Sequence, residues 1–300
     1  MRFPDLPELP RIAHPFFDLP DERVRVRSRH FGDVALSVRR KGTGPPLVLV
    51  HGLMTSSYSF RYVIEPLAQH FEVIVFDLPG AGRSDTPDVP YDAEPMADLI
   101  GETFDALGLR APRVIGNSMG GYLCMWLALR RPDAMRRLAN LHSPGLVTPR
   151  IDALELAMRW LAGSRRVVDR LVRRDPERWV FRNVHYYDES LKSREEAREY
   201  AAPLRTPEGR NAFTRYLGDT MKGSTMRRFA RALAASRPFP IPLQLLYARR
   251  DPMVPPVVGE RLAALVPEAE MTWLEQGSHF AHVDAPEAFL AAALPFLHGE

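Results

Sequence analysis

The chain has a single cysteine, Cys124, so it can form no internal disulfide and no cysteine-rich metal site. Its formal charge is only +3 over 300 residues, far from the basic excess of a nucleic-acid binder. No apolar run reaches the roughly 18–20 residues needed to span a bilayer. The opening stretch, MRFPDLPELPRIAHPFFDLPDER, is broken by prolines and has no continuous apolar segment. It is therefore read as an extended arm rather than a secretory signal, with a cytoplasmic location expected. No internal repeat or low-complexity tract interrupts the chain. What remains is ordinary globular material: 45% hydrophobic and 26% charged residues, enough for one large domain or a domain with an insertion.

Short apolar strands alternate with helical stretches through the first half. Strands are expected over Glu22–Arg29, Val34–Arg39, Leu47–Val50, Phe71–Asp77, Val114–Gly116 and Arg137–His142. Fully apolar strands of this kind belong in a parallel sheet covered on both faces. From about Leu146 to Arg231 the strand rhythm stops and apolar residues recur at helical spacing. Val167, Val168, Leu171 and Val172, for example, make a stripe with Arg166, Arg170 and Arg173 opposite. Strands resume at Pro242–Ala248 and Glu270–Glu275, and a last helix is expected near Pro286–Leu297. The organisation is therefore an arm (1–21), a first core block (22–145), a helical insertion (146–231) and a second core block (232–300).

One turn stands out chemically. Gly116-Asn117-Ser118-Met119-Gly120 directly follows an apolar strand and directly opens a helix. A Gly-x-Ser-x-Gly pattern alone arises by chance in roughly one chain of this size in ten. The strand–turn–helix context is what a nucleophile elbow requires. There the serine adopts a strained backbone that lifts its hydroxyl clear of the sheet, and the flanking positions crowd their neighbours, hence glycine. The helix that follows adds its free N–H groups and dipole.

A serine hydroxyl needs a base. Among nine histidines, His279 lies between the last strand and the last helix, at the strand end where parallel sheets build sites. His282 is the rival, read more readily as a helix-start or surface residue. Asp251 follows a strand, with Pro252 stiffening its turn, and is the acid expected to orient His279. The order Ser118, Asp251, His279 suits this elbow type. Asp284, the other candidate, is expected to cap the last helix. Two oxyanion donors are needed: the backbone N–H of Met119 at the elbow, and that of Leu53 in the loop LVLVHGLMTSS, where Gly52 permits close approach. His51 is read there as a structural hydrogen-bonding residue.

These residues resemble the α/β-hydrolase fold family, through His51-Gly52, DLPGAGRSD (Asp77–Asp85), Gly116–Gly121, Asp251 and His279. The resemblance implies a mostly parallel eight-stranded sheet with helices on both faces, an all-helical lid at Leu146–Arg231, and neither metal nor cofactor. The segments HGLMTSSYSF and DLPGAGRSD are similar to haloalkane dehalogenases and epoxide hydrolases. Those place aspartate at the elbow for attack on saturated carbon, whereas Ser118 suits attack on a carbonyl. GNSMGG resembles the carbon–carbon bond hydrolases of aromatic-ring degradation, but Phe280 stands where those usually have tryptophan. They also carry a lid arginine for a substrate carboxylate. Arg159–Arg182 holds eight arginines against Asp169, Asp175 and Glu177, read as the solvated face of amphipathic helices.

The expected activity is a serine hydrolase cleaving a small or medium, largely apolar carboxylic ester, lactone or thioester. Carbon–carbon hydrolysis of a ring-fission dienoate is the enzymatic alternative, and a ligand receptor on a hydrolase scaffold the other. The expected pocket residues are Gly52, Met54, His142, Trp160 and Phe280, with a structural role as the alternative for His142. The expected partner is a small-molecule substrate, with no nucleic acid or membrane, in a monomer or homodimer.

Overall fold

Alternating polar and apolar residues build the antiparallel pair β1 (Glu22–Ser28) and β2 (Gly32–Lys41) at one edge of the sheet. The computed structural model describes residues 2–148 and 164–299. The other strands are short: β3 (Pro46–Val50), β4 (Glu72–Phe76), β5 (Arg113–Asn117), β6 (Arg137–Leu141), β7 (Leu243–Ala248) and β8 (Glu270–Leu274), of which β3 to β7 are largely buried and β8 is the half-exposed opposite edge. The spatial order is β1-β2-β4-β3-β5-β6-β7-β8, and every pairing beyond β2–β4 is parallel. The order runs outward in both directions from β3, so the carboxyl ends of β3 and β5 meet at the centre of one edge, where such sheets place their ligands.

Helices cover both faces. α1 (Ile64–Leu67) is a single turn, and α2 (Ala93–Ala106) packs with α3 (Met119–Arg130). Val48, Val50, Ile74, Val114 and Leu138 point to one core layer, and Leu47, Leu49, Val73, Val75 and Ile115 to the other. This is the period-2 alternation that allows a doubly covered sheet.

Between β6 and β7 every described element is helical. These are α4 (Ser164–Arg174), α5 (Pro176–Asn183), α6 (Arg194–Ala201), α7 (Pro207–Arg215), a π-helical turn at Tyr216–Thr220, and α8 (Gly223–Ala235). The expected α4 stripe is only partly right. Val172 is buried, but Leu171 is 54% exposed alongside Arg170 and Arg173. Arg166, Val167 and Val168 lie outside the residues whose side chains are described.

The insertion is tied down by a buried ion pair. Arg61 Nη2 donates to Glu196 Oε2 at 2.6 Å with both side chains enclosed, and the guanidinium lies 4.5 Å from the Tyr58 and Tyr62 ring centres. The residues before β1 pack on this same junction. Pro7 and Glu8 carbonyls accept the first-turn N–H groups of α6, from Arg194 and Glu195, and His14 Nε2 lies 2.9 Å from Glu195. Among the described residues no helix is long and apolar enough to cross a membrane. The chain closes with α9 (Pro256–Leu265), α10 (Ala281–Asp284) and α11 (Pro286–His298).

Candidate active site

Ser118 sits between the end of β5 and the start of α3 with φ 52° and ψ −121°. That left-handed backbone is costly for a residue with a side chain and persists only where the surroundings enforce it. They do so here through contact. A Cβ on Gly120 would lie 2.3 Å from the Val50 carbonyl, and one on Gly116 2.5 Å from Gly121 Cα. Ser118 is the residue before the helix, yet its side chain makes no capping hydrogen bond. Its N–H donates to the Leu141 carbonyl at 2.7 Å, which anchors the turn to β6 and leaves the hydroxyl free.

Asp251 and His279 meet across two loops. Oδ1 of Asp251 accepts the N–H groups of Met253 (2.7 Å) and Val254 (2.9 Å), and Oδ2 accepts from His279 Nδ1 at 2.7 Å. Both carboxylate oxygens are therefore committed, and the ring presents Nε2 away from the acid. Burial pushes the Asp251 carboxyl up. The adjacent His279, its hydrogen bond, His142 and the Val254 N–H outweigh burial and hold the carboxyl below its ordinary value. Asn117 Nδ2 donates to the His279 carbonyl at 3.2 Å, so the elbow itself holds the loop of the base.

Gly52 brings the β3 loop against the nucleophile: a Cβ there would lie 3.0 Å from Ser118 Cβ. His51 is a structural residue, its Nε2 accepting the Leu78 N–H at 2.9 Å. Beside this loop a narrow cavity is lined by Gly52, Leu53, Met54 and Met119 and by the insertion residues Tyr200, Pro203, Leu204, Phe213 and Tyr216. The two expected oxyanion donors, Leu53 and Met119, thus belong to the cavity wall.

Five expectations need correction or restriction. His142 lies buried beneath the Asp251–His279 pair and does not line the cavity. Phe280 is 2% exposed and packs edge-on against His279 at 5.0 Å, so it supports the base instead of facing the cavity. Asp284 does not cap the last helix. Its carboxylate accepts from Ser278 N–H and Oγ–H and from the Tyr187 N–H, bracing the loop before His279. His282 stands in the first turn of α10, as one of its two expected readings has it, but it is not a surface residue, being fully enclosed with Phe60 at 4.9 Å. Trp160 lies outside the described residues. Of the cavity's aromatic lining, sequence reading missed Tyr200, Phe213 and Tyr216. Their helical spacing marks them as inward-facing but does not tell core from cavity.

The geometry agrees with the comparisons. A family model for the α/β hydrolase fold matches residues 45–286. The chain belongs to the α/β-hydrolase fold family. It is 26% identical over 272 residues to 2-hydroxymuconate semialdehyde hydrolase from a Pseudomonas species, covering 88% of this chain and 90% of the relative. It is 27% identical over 281 residues to 2-hydroxy-6-oxo-2,4-heptadienoate hydrolase from Pseudomonas putida, covering 90% and 95%. Its fold matches a thermophilic esterase from Thermogutta terrifontis with a TM-score of 0.72 at 23% identity, over 93% of this chain and 100% of that one. As in other α/β hydrolases, hydrolysis is the coarse activity, and the bond cleaved depends on the site.

The buried imidazoles near the site make an acid-sensitive element. Burial holds His142 down to about 4, against Asp251, which raises it. The unfolded chain therefore binds a proton that the folded chain refuses between pH 6.5 and about 4. Stability from this group is fully present above pH 6.5 and is lost as pH falls through that window, by roughly 3 kcal/mol at the bottom. Urea unfolding midpoints should decline across the window, and His142→Gln should flatten the decline. An identical pH dependence in the two proteins would refute the assignment.

Proposed function

We propose that the protein is a serine hydrolase that cleaves a small or medium, largely apolar carboxylic ester, lactone or thioester. Ser118 Oγ attacks the carbonyl carbon while His279 Nε2 takes its proton, and Asp251 holds the ring in the tautomer that leaves Nε2 free to accept. The backbone N–H groups of Leu53 and Met119 stabilise the oxyanion. Collapse expels the alcohol or thiol, which receives the proton from His279. Water, deprotonated by the same ring, then attacks the acyl-enzyme and releases the acid. The substrate is a small molecule held under the helical insertion.

The observation that carries this reading is the character of the cavity wall. No lysine or arginine lines it among the described residues. Arg61, buried where the insertion meets the core, is neutralised by Glu196. Carbon–carbon hydrolysis of a dienoate requires a cation facing the substrate carboxylate, because a buried unpaired carboxylate is costly. The names of the two Pseudomonas relatives favour that second reading. Steady-state assays separate them: p-nitrophenyl esters of graded acyl length should be turned over repeatedly, and a ring-fission dienoate poorly. A dienoate kcat/KM above that of the best short ester would overturn the ester assignment. A single turnover with every substrate would favour a receptor.

A further inference from the structure

His142 carries two costs that packing alone does not explain. It ends β6 in the left-handed region, with φ 55°, where a side chain is disfavoured. It is also fully enclosed, and its Nδ1 makes no hydrogen bond of good geometry among the described residues, the nearby polar backbone being that of His279. A buried donor without a partner is a penalty that a methionine or leucine of similar size would avoid. The other ring nitrogen is settled. Nε2 accepts the Ala248 N–H at 2.7 Å, so it bears no proton, and the proton of the neutral ring sits on Nδ1.

The surroundings of the ring belong to the triad. A ring nitrogen of His142, a carboxylate oxygen of Asp251 and a ring nitrogen of His279 all lie within 4.8 Å of one another. The His142 and His279 rings are 5.6 Å apart and tilted by 36°. Tyr247 of β7 closes another side, edge-on at 5.8 Å, with its hydroxyl committed to the Ser143 carbonyl. The titratable groups facing His142 are thus Asp251, His279, Tyr247 and, from α10, the buried His282. His142, Asp251 and His279 also have the spacing of a metal-ligand set. Here Asp251 is saturated by two N–H groups and His279, and His142 Nε2 by Ala248, so a cation would have to displace all of these bonds.

We propose that His142 is a positioning residue of the triad: a neutral imidazole, locked as the Nδ1–H tautomer by Ala248, that stands behind the Asp251–His279 pair and tunes the basicity of His279. Its N–H dipole draws on the negative charge of Asp251 and so restrains how strongly Asp251 stabilises a protonated His279. Its neutrality keeps a second positive charge away when His279 takes the proton of Ser118. Burial maintains that neutrality. The strain and the unsatisfied donor are then retained for what they do while His279 is charged, not in the resting protein.

The inference rests on the Ser118–Asp251–His279 triad and not on any particular substrate, so the test reads the nucleophile directly. The rate at which a fluorophosphonate labels Ser118 is measured against pH in the intact protein and in His142→Met and His142→Gln. These replacements are nearly equal in length, and only Gln keeps an amide donor and acceptor. Met should move the pH midpoint of labelling upward without weakening probe binding, because Asp251 then holds the imidazolium more strongly. Gln should restore the parent midpoint. A Met variant with the parent midpoint overturns the proposal, as does an equal shift in Met and Gln. Absence of labelling in the parent would instead overturn the triad. If the Met variant does not fold, ¹⁵N spectra of histidine in the wild-type protein decide. His142 should be protonated at Nδ1 only, and both its nitrogens should shift when the phosphonate on Ser118 leaves His279 charged. Unmoved resonances reject the role.

Discussion

Replacing Ser118 with alanine should abolish covalent labelling by a fluorophosphonate and remove hydrolysis, with kcat falling on the order of 10⁶-fold. The size follows from the geometry. The serine is the one side chain that the elbow lifts out of the sheet, with φ 52° enforced by glycines that cannot accept a Cβ. A residual rate should survive, because Leu53 and Met119 can still polarise a bound carbonyl when the nucleophile is gone. The fold should be unaffected, since Ser118 Oγ caps nothing and the anchoring bond to Leu141 uses the backbone. Labelling that persists in the alanine variant and maps to another serine would refute the assignment.

The second large effect is expected at Asp251. In Asp251→Asn the oxygen can still accept from Met253 and Val254, so the turn keeps its shape. The amide nitrogen then faces His279 Nδ1 where a carboxylate oxygen stood at 2.7 Å. Two donors cannot share that contact. The ring is driven to the tautomer protonated at Nε2, which cannot accept the proton of Ser118. The loss should approach the ~10⁴ in kcat seen when a triad acid is made an amide. Asp284→Asn is the control. Its carboxylate binds Ser278 and the Tyr187 N–H, so that change should loosen the loop before His279 and cost far less activity. Reversed losses in the two variants would exchange their roles.

Much of this was legible before any coordinates. The inner strands β3 to β7 are legible as short, mostly apolar runs, because a strand covered on both faces has little room for polar side chains. The elbow is legible for a related reason. Gly116, Gly120 and Gly121 mark backbone contacts too close for any side chain, and such contacts leave a local trace in sequence. Asp251 and His279 were found because each follows a strand in a parallel sheet, and all such strand ends lie on one edge.

What the sequence did not determine are facts about which side chains from distant segments share a space. His142, His282 and Phe280 are polar or aromatic residues at element ends, where sequence alone cannot separate a cavity wall from a support beneath it. Their neighbours decided that all three are enclosed: Phe60 against His282, Tyr247 and His279 against His142, and Tyr186 and His279 against Phe280. Asp284 has the spacing of a helix cap, yet its carboxylate turns to Ser278 and Tyr187 because those N–H groups lie within reach in three dimensions. Tyr200, Phe213 and Tyr216 line the cavity because the buried Arg61–Glu196 pair seats α6 against the core, and no periodicity records which partner a buried helical face will meet. Local backbone constraint writes itself into the sequence as glycine, proline and apolar runs. The identity of a side chain's neighbours depends on contacts more than a hundred residues apart, and only the folded chain supplies them.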